Sequence, residues 1–276
     1  MTIDLAERAA PSPWRPSLTV KGSIGLHCAA GVGTLVGPEL WQWAVGAIAA
    51  NHAFLTALGM WPRSNWLGPN LSRLPPAATA RSEIALTFDD GPEPEVTPRV
   101  LDLLDARGAR GTFFCIANQA RRHPELCREI ARRGHAVENH SRSHLPTFAF
   151  LGPRGIRREL AEAQATLTEL SGRAPRFFRP PAGIRSPLLD PVLHQSGLTL
   201  VSWTRRGYDT QRSNAAGVTS RLSRDLAAGD ILLLHDGHSA RTRAGVPVVL
   251  EVLPRILDAA HALGLRPVTL RQAIEP

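Results

Sequence analysis

Hydrophobic and polar positions divide the chain into two unlike parts. Residues 22–60, GSIGLHCAAGVGTLVGPELWQWAVGAIAANHAFLTALGM, are nearly free of charge, with Glu39 the one ionised residue, beside Pro38. Two apolar blocks thus flank a turn. The second, 40–60, is long enough to cross a bilayer, and the first, 23–37, is marginal against roughly 20 residues per span. Together they predict a helical hairpin in or on a membrane. Trp41, Trp43, Trp61 and Trp66 fall at or near the ends of the second block, where amphipathic rings favour the membrane interface. Gly33 and Gly37 supply a small-residue spacing that lets helices approach closely. Asn51 and His52 count against the reading, because polar groups at mid-span are costly unless they face protein or water. A soluble helical extension is therefore one alternative, and a long secretory leader cleaved near Ala47-Ile48-Ala49 is another. Residues 62–76, PRSNWLGPNLSRLPP, read as an irregular linker.

From residue 81 the pattern changes to alternating strands and helices. Residues 84–88 are a short apolar run; 97–107 carry apolar side chains at helical spacing and stop at Gly108; 111–117 is again strand-like. A helix over 124–133 ends at Gly134, a strand follows at 135–137, and a long amphipathic helix over 155–170 ends at Gly172. Further strands are expected at 176–178, 198–203, 230–234 and 267–270, with helices around 187–195, 218–227 and 246–263. Repetition of about seven βα units suits a barrel or a doubly wound sheet, and both place their chemistry at the C-terminal ends of the strands. The organisation expected is a tail over 1–21, a hydrophobic hairpin and linker over 22–80, and an α/β catalytic domain over 81–276.

Each strand end carries something polar. The first ends in Asp89-Asp90, the third runs into ENHSRSH, the fourth into RPPAG, the fifth into WTRRGYD and the sixth into HDGH. Adjacent aspartates after a buried strand repel each other and lose hydration, a cost that a bound cation offsets; the plainer reading is an Asp-Gly-Pro turn. His140 and His144 are four apart, so one helical turn would present both imidazoles on one face as zinc ligands. A carboxylate from another strand end would complete a two-His, one-carboxylate set with an open position.

The formal charge of +8 comes almost wholly from arginine, with Lys21 the only lysine. Such a bias reflects codon usage or attracts an acidic surface or a phosphate-bearing substrate. No basic stripe interleaved with aromatics argues for nucleic acid. Cys28, Cys115 and Cys127 are too few and scattered for a disulfide framework or zinc knuckle and read as small buried hydrophobes.

TFDDGP, HSRSH, RPPAG and LLLHDGH, in this order and at strand ends, resemble the motifs of the polysaccharide deacetylase family, the NodB-homology domain of carbohydrate esterase family 4. The resemblance spans residues 81–276 and implies a distorted (β/α)7-type barrel, here with an N-terminal hydrophobic helical hairpin. It also implies removal of acyl groups from amino sugars with a divalent metal, Zn2+ being expected. By motif, Asp90, His140 and His144 would bind the metal and Asp89 would be the general base. Arg179 would hold Asp89 ionised; its alternative is an ordinary surface arginine. His235 would protonate the departing amine, Leu233 would line the pocket for the acyl methyl, and the Ala182 N–H would serve the oxyanion.

One segment departs from the family pattern. WTRRGYDT places Arg206 and Thr210 where relatives carry an aspartate and a tryptophan. Either Asp209 substitutes as the partner that tunes His235, or His235 goes untuned. A basic residue in the cleft suits an anionic substrate, and the apolar hairpin suits a lipid-linked one. Deformylation or O-deacetylation of a glycolipid, or non-catalytic carbohydrate binding, are the other functions compatible with these motifs. Arg8, Arg15 and Lys21 before the hairpin, and Arg63 and Arg73 after it, place both flanks on the cytoplasmic side of the inner membrane. A single pass through 40–60 would instead put the catalytic domain on the periplasmic side.

Overall fold

The structure, a computed structural model, describes residues 13–275; Arg8, part of the basic N-terminal flank, lies outside them. Helix α1 (Leu18–Val36) and helix α2 (Trp41–Met60) pack against each other around a 3-10 turn at Pro38–Leu40. Ser17 caps α1, its Oγ accepting the Val20 N–H at 3.3 Å. Most of the hairpin's apolar surface is uncovered: Leu35, Val36 and Trp43 are each about four-fifths exposed. The mid-span polar groups face one another. Asn51 Nδ2 donates to Ser23 Oγ at 2.9 Å, and the Nε2 atoms of His27 and His52 lie 3.3 Å apart. Cys28 is exposed, unlike the buried Cys115 and Cys127, because α1 has protein on only one side.

Beyond the hairpin come α3 (Pro76–Ala80), β1 (Glu83–Asp89), α4 (Thr97–Asp105), β2 (Gly111–Cys115), α5 (Ala117–Arg122), α6 (Pro124–Arg132), β3 (Ala136–Asn139) and α7 (Pro153–Ser171). They are followed by β4 (Phe177–Phe178), α8 (Leu189–Ser196), β5 (Thr199–Leu200), β6 (Arg205–Arg206), α9 (Ala215–Ser223), β7 (Ile231–His235), α10 (Val248–Ala262), β8 (Arg266–Val268) and α11 (Leu270–Ile274). The strands run parallel in the order β5-β4-β3-β2-β1-β7-β6, with β8 paired to the first residues of β1. No pairing joins β5 to β6 among the described residues, so the sheet is a curled half-barrel wrapped by helices.

Strand β1 is buried along its whole length and lies centrally between β2 and β7. Its alternate side chains feed two cores: Ile84, Leu86 and Phe88 pack with α4 and α10, while Ala85 meets Phe114, Phe177 and Leu233 on the inner side. Burial on both faces explains why the strand reads as continuous apolar sequence.

The expected linker is tied to the barrel. Leu71 pairs in parallel with Val201, its N–H donating to Leu200 O at 2.9 Å and its carbonyl accepting the Ser202 N–H at 3.0 Å. Arg73 reaches Asp230 at 3.1 Å, and the Leu74 N–H donates to Gly229 O at 2.8 Å. At the base of the hairpin the Arg185 N–H donates to Gly59 O at 3.1 Å and its guanidinium to Ser64 O at 2.7 Å. Leu55, Leu58 and Leu67 close this junction as a small apolar cluster. The run 198–203 supplies only a two-residue strand; beyond it the Val201 N–H donates to Phe178 O and the Ser202 N–H to Leu71 O. Strand β6 escapes the sequence reading because two arginines carry no apolar signal.

Candidate active site

The end of β1 and the loop after β7 are built around each other. A Cβ on Gly91 would stand 2.1 Å from Asp236 Oδ2, and one on Gly237 would stand 2.4 Å from the Asp90 carbonyl oxygen. Only glycines let these loops touch. Asp89, the last residue of β1, is in register with His235. Asp90 follows with φ 75°, which turns its side chain out of the strand's alternation.

HSRSH is an irregular loop after β3, and the helical turn expected to align its histidines is absent. The loop instead bends through left-handed conformations at Ser141 (φ 66°) and His144 (φ 52°). Asn139 Oδ1 accepts the Ser141 N–H at 2.9 Å, Ser141 Oγ accepts the His144 N–H at 3.0 Å, and buried Glu159 accepts from Ser143. These bonds replace the helical ones and leave the two rings 5.0 Å apart, centre to centre.

Asp90, His140 and His144 fit a metal ion. Asp90 Oδ1 lies 3.2 Å from His140 Nε2 and 3.1 Å from His144 Nε2, yet this buried oxygen accepts no hydrogen bond. One ligand atom from each residue lies within 4.8 Å of the others. His140 Nδ1 contacts the Arg179 carbonyl at 2.7 Å, which places its proton there and leaves the Nε2 lone pair for a cation. Burial would raise the Asp90 carboxyl, but the imidazoles of His140 and His238 outweigh it and hold the group well below the usual carboxylate range.

Arg179 is fully buried, unlike a surface arginine. Its Nη1 donates to Asp89 Oδ1 at 2.7 Å and to Thr87 Oγ1 at 2.9 Å, its Nη2 to Ser202 O at 3.0 Å, and its guanidinium lies 4.2 Å from the centre of the Phe114 ring. The Asp89 carboxylate is thereby fixed in orientation, with Oδ2 3.9 Å from His140 Nε2.

Asp209 is the partner of His235, so an untuned His235 is excluded by the geometry. Asp209 Oδ1 lies 2.8 Å from His235 Nδ1, and Oδ2 accepts the His235 backbone N–H at 2.8 Å. Burial alone would depress the imidazole, but fully buried Asp209 overrides it and raises His235 to about 9. At neutral pH the ring is a cation able to donate a proton. Asp209→Asn removes the largest of these supports and leaves only Asp89 and Asp90 to oppose burial, so if His235 is the proton donor the alkaline limb of kcat should move acidward by about one to three pH units. An unmoved limb in the pH profile of this variant would dissociate Asp209 from the acid group.

The three metal-ligand candidates, Asp89 and His235 meet in one cavity of about 230 Å³, with Arg179 and Asp209 behind its wall. Asp89, Asp90, His140, His144 and His235 line it with Ala182, Leu233 and Arg206. Ala182 is exposed with φ 56°, and Leu233 is buried. A larger cavity, about 730 Å³, opens beside Arg110 and Arg266 at the opposite ends of the strands and contains none of these groups.

Two polar residues of HDGH had no role in the sequence reading. His238 Nδ1 lies 3.2 Å from Asp90 Oδ2, the oxygen turned away from the histidine pair. Buried Asp236 accepts the Thr97 hydroxyl at 2.7 Å, and burial raises it to about 7 against that bond. The second histidine of the motif was the available signal, although its spacing from His235 does not show that it meets Asp90.

At its strand ends the parallel half-barrel gathers a two-His, one-carboxylate set, an arginine-held carboxylate and an aspartate-held histidine, an arrangement suited to metal-assisted hydrolysis. The polysaccharide deacetylase family model matches residues 77–201. A chitooligosaccharide deacetylase of Sinorhizobium fredii is 32% identical over 200 residues, covering 70% of this chain and 93% of its own. A peptidoglycan-N-acetylglucosamine deacetylase of Bacillus cereus is 30% identical over 69% of this chain and 67% of its own length. Among solved structures, a peptidoglycan N-acetylglucosamine deacetylase superposes with a TM-score of 0.67 at 28% identity, over 74% of this chain and 92% of that one. The chain belongs to the polysaccharide deacetylase family, and its enzymatic class is that of the carbohydrate deacetylases.

Proposed function

We propose that this enzyme hydrolyses the N-acetyl group of an amino sugar in a cell-envelope or lipid-linked glycan, with Asp89 as base and His235 as acid. The meeting of Arg179-held Asp89 and Asp209-held His235 in one cavity carries this reading, because a fixed carboxylate and a protonated imidazole are the two proton-transfer groups that amide cleavage requires. Asp90, His140 and His144 would hold the metal, with zinc the expected ion for this donor set. When bound, such an ion polarises the acyl carbonyl and acidifies water. Asp89 takes the proton of the attacking water, and Arg179 keeps the carboxylate aimed as it does so. The Ala182 N–H is the proposed donor to the developing oxyanion, and Leu233 the wall against the acyl methyl. His235 delivers its Nε2 proton to the amine as the C–N bond breaks. Release of acetate from N-acetylglucosamine oligomers and from peptidoglycan fragments by the metal-loaded protein tests the reading; release from neither would remove these glycans as substrates.

The hairpin is proposed to anchor this catalytic unit to the inner membrane, with the barrel on the cytoplasmic side. Its second half, Pro38–Met60, has a mean hydropathy of 1.3 over a window that is only 17% buried. At 1.5 Å per residue, helices of 19 and 20 residues extend roughly 30 Å, the thickness of a hydrocarbon core. The Ser23–Asn51 and His27–His52 contacts pair the mid-span polar groups, which reduces the cost that argued against immersion. The chain should sediment with membranes and resist protease added to intact spheroplasts. A wholly soluble chain would refute anchoring, and digestion from the periplasmic face would reverse the orientation.

A further inference from the structure

Arg206 is a cation at the active-site cavity with no counter-charge among the described residues. It sits on β6 in register with Leu233 of β7 and lines the same cavity as Asp89, Asp90 and His235. Its neighbour Arg205 shows the contrasting case: that guanidinium is consumed by Asp230 and by the carbonyls of Arg224 and Asp225. Arg206 makes no ion pair or hydrogen bond through its guanidinium among the described residues, and its Nε is buried without an acceptor.

Aromatic faces hold the group instead. The guanidinium carbon lies 5.2 Å from the centre of the Trp203 ring and 4.9 Å from that of Tyr208, the only tyrosine of the chain. Trp203 is buried, and Tyr208 sits at φ 63°, a left-handed conformation rare for a bulky side chain. The contacts orient the guanidinium without occupying its N–H donors. An oriented guanidinium with free donors at the edge of a cavity is a receptor for planar or tetrahedral oxyanions, which it grips through two parallel hydrogen bonds. Thr210 and Gln211 line the same cavity and add polar side chains beside it.

We propose that Arg206 is a specificity-determining residue that receives an oxyanion, a carboxylate or a phosphate, carried by the acylated sugar bound in the cavity. This rests on the deacetylase reading of the site and deepens it by naming an acidic amino-sugar derivative as the substrate class.

Three probes separate the sources: a neutral N-acetylglucosamine tetramer, the same tetramer bearing one carboxymethyl ether, and the same tetramer bearing one phosphate monoester. The metal-loaded full chain in detergent should favour one or both charged probes by about tenfold or more in kcat/KM, and which of them it favours identifies the anion. Arg206→Ala should erase that ratio chiefly through KM, and Arg206→Glu should invert it. Arg255→Ala, which removes one exposed positive charge from α10, should leave it intact. Dissociation constants of the three probes, measured on Asp89→Asn with and without Arg206→Ala, read the same preference without turnover. A charged-to-neutral ratio unaltered by Arg206→Ala in both rates and dissociation constants would overturn the proposal. Absence of acetate release from all three by the otherwise unaltered protein would count against the deacetylase reading, and the dissociation constants would still decide the role of Arg206.

Discussion

A chain carrying both His140→Ala and His144→Ala is expected to fold and to hold no divalent metal. The loop that presents these rings is organised chiefly by Asn139, Ser141 and Glu159, the imidazoles adding one bond from His140 to the Arg179 carbonyl, so its backbone should survive their loss. What disappears is two of the three donors gathered about Asp90 Oδ1. Both must go together, because His238 already touches the other Asp90 oxygen and offers a reserve ligand when only one is removed. Metal analysis of the purified protein gives the answer independently of activity. Full occupancy in the double variant would move the metal elsewhere in the molecule.

Asp89→Asn should keep the metal and lose most of the turnover, by about a hundredfold to ten-thousandfold, the usual cost of deleting a general base. The substitution is isosteric but strikes a fully buried pair. Arg179 keeps Thr87, Val201 and Ser202 as acceptors and loses its one buried counter-charge. Breaking such a pair typically costs about 3–5 kcal/mol of stability. Rates are therefore to be expressed per folded, metal-loaded chain, with the unfolding midpoint measured alongside. Near-normal hydrolysis on that basis would transfer the base role to another group.

The fold was legible where burial is two-sided and helices are amphipathic. The β1 and β7 runs and the α7 and α10 patterns appear in the sequence close to where they stand, because each packs a continuous apolar surface. Strand β6 was illegible, since Arg205 and Arg206 are held in the sheet by backbone pairing to Leu232 and Leu233 rather than by apolar side chains. Among the site residues, adjacency in sequence marked Asp89 with Asp90 and His140 with His144. The contact between Asp209 and His235 depends on how the segment after β6 returns to the end of β7, and a spacing of 26 residues does not encode it. His238 escaped for the same reason: it meets Asp90 only because Gly91 and Gly237 let two loops touch. The single helical turn that the spacing of His140 and His144 suggested is absent because the side chains of Asn139, Ser141 and Glu159 satisfy that backbone instead.

The segment between hairpin and barrel has a mechanical consequence. A flexible run of 15 residues, the length of 62–76, would let its ends wander over roughly 20 Å and the barrel swing like a tethered ball. Here Leu71 lies along β5, Arg73 is locked to Asp230, and Arg185 grips the chain at Gly59 and Ser64. The cleft therefore keeps one height and one heading above the hairpin, as a tool on a rigid arm does. Reach is exchanged for aim: a glycan presented at that height meets the cleft already oriented, and one held farther away must itself move.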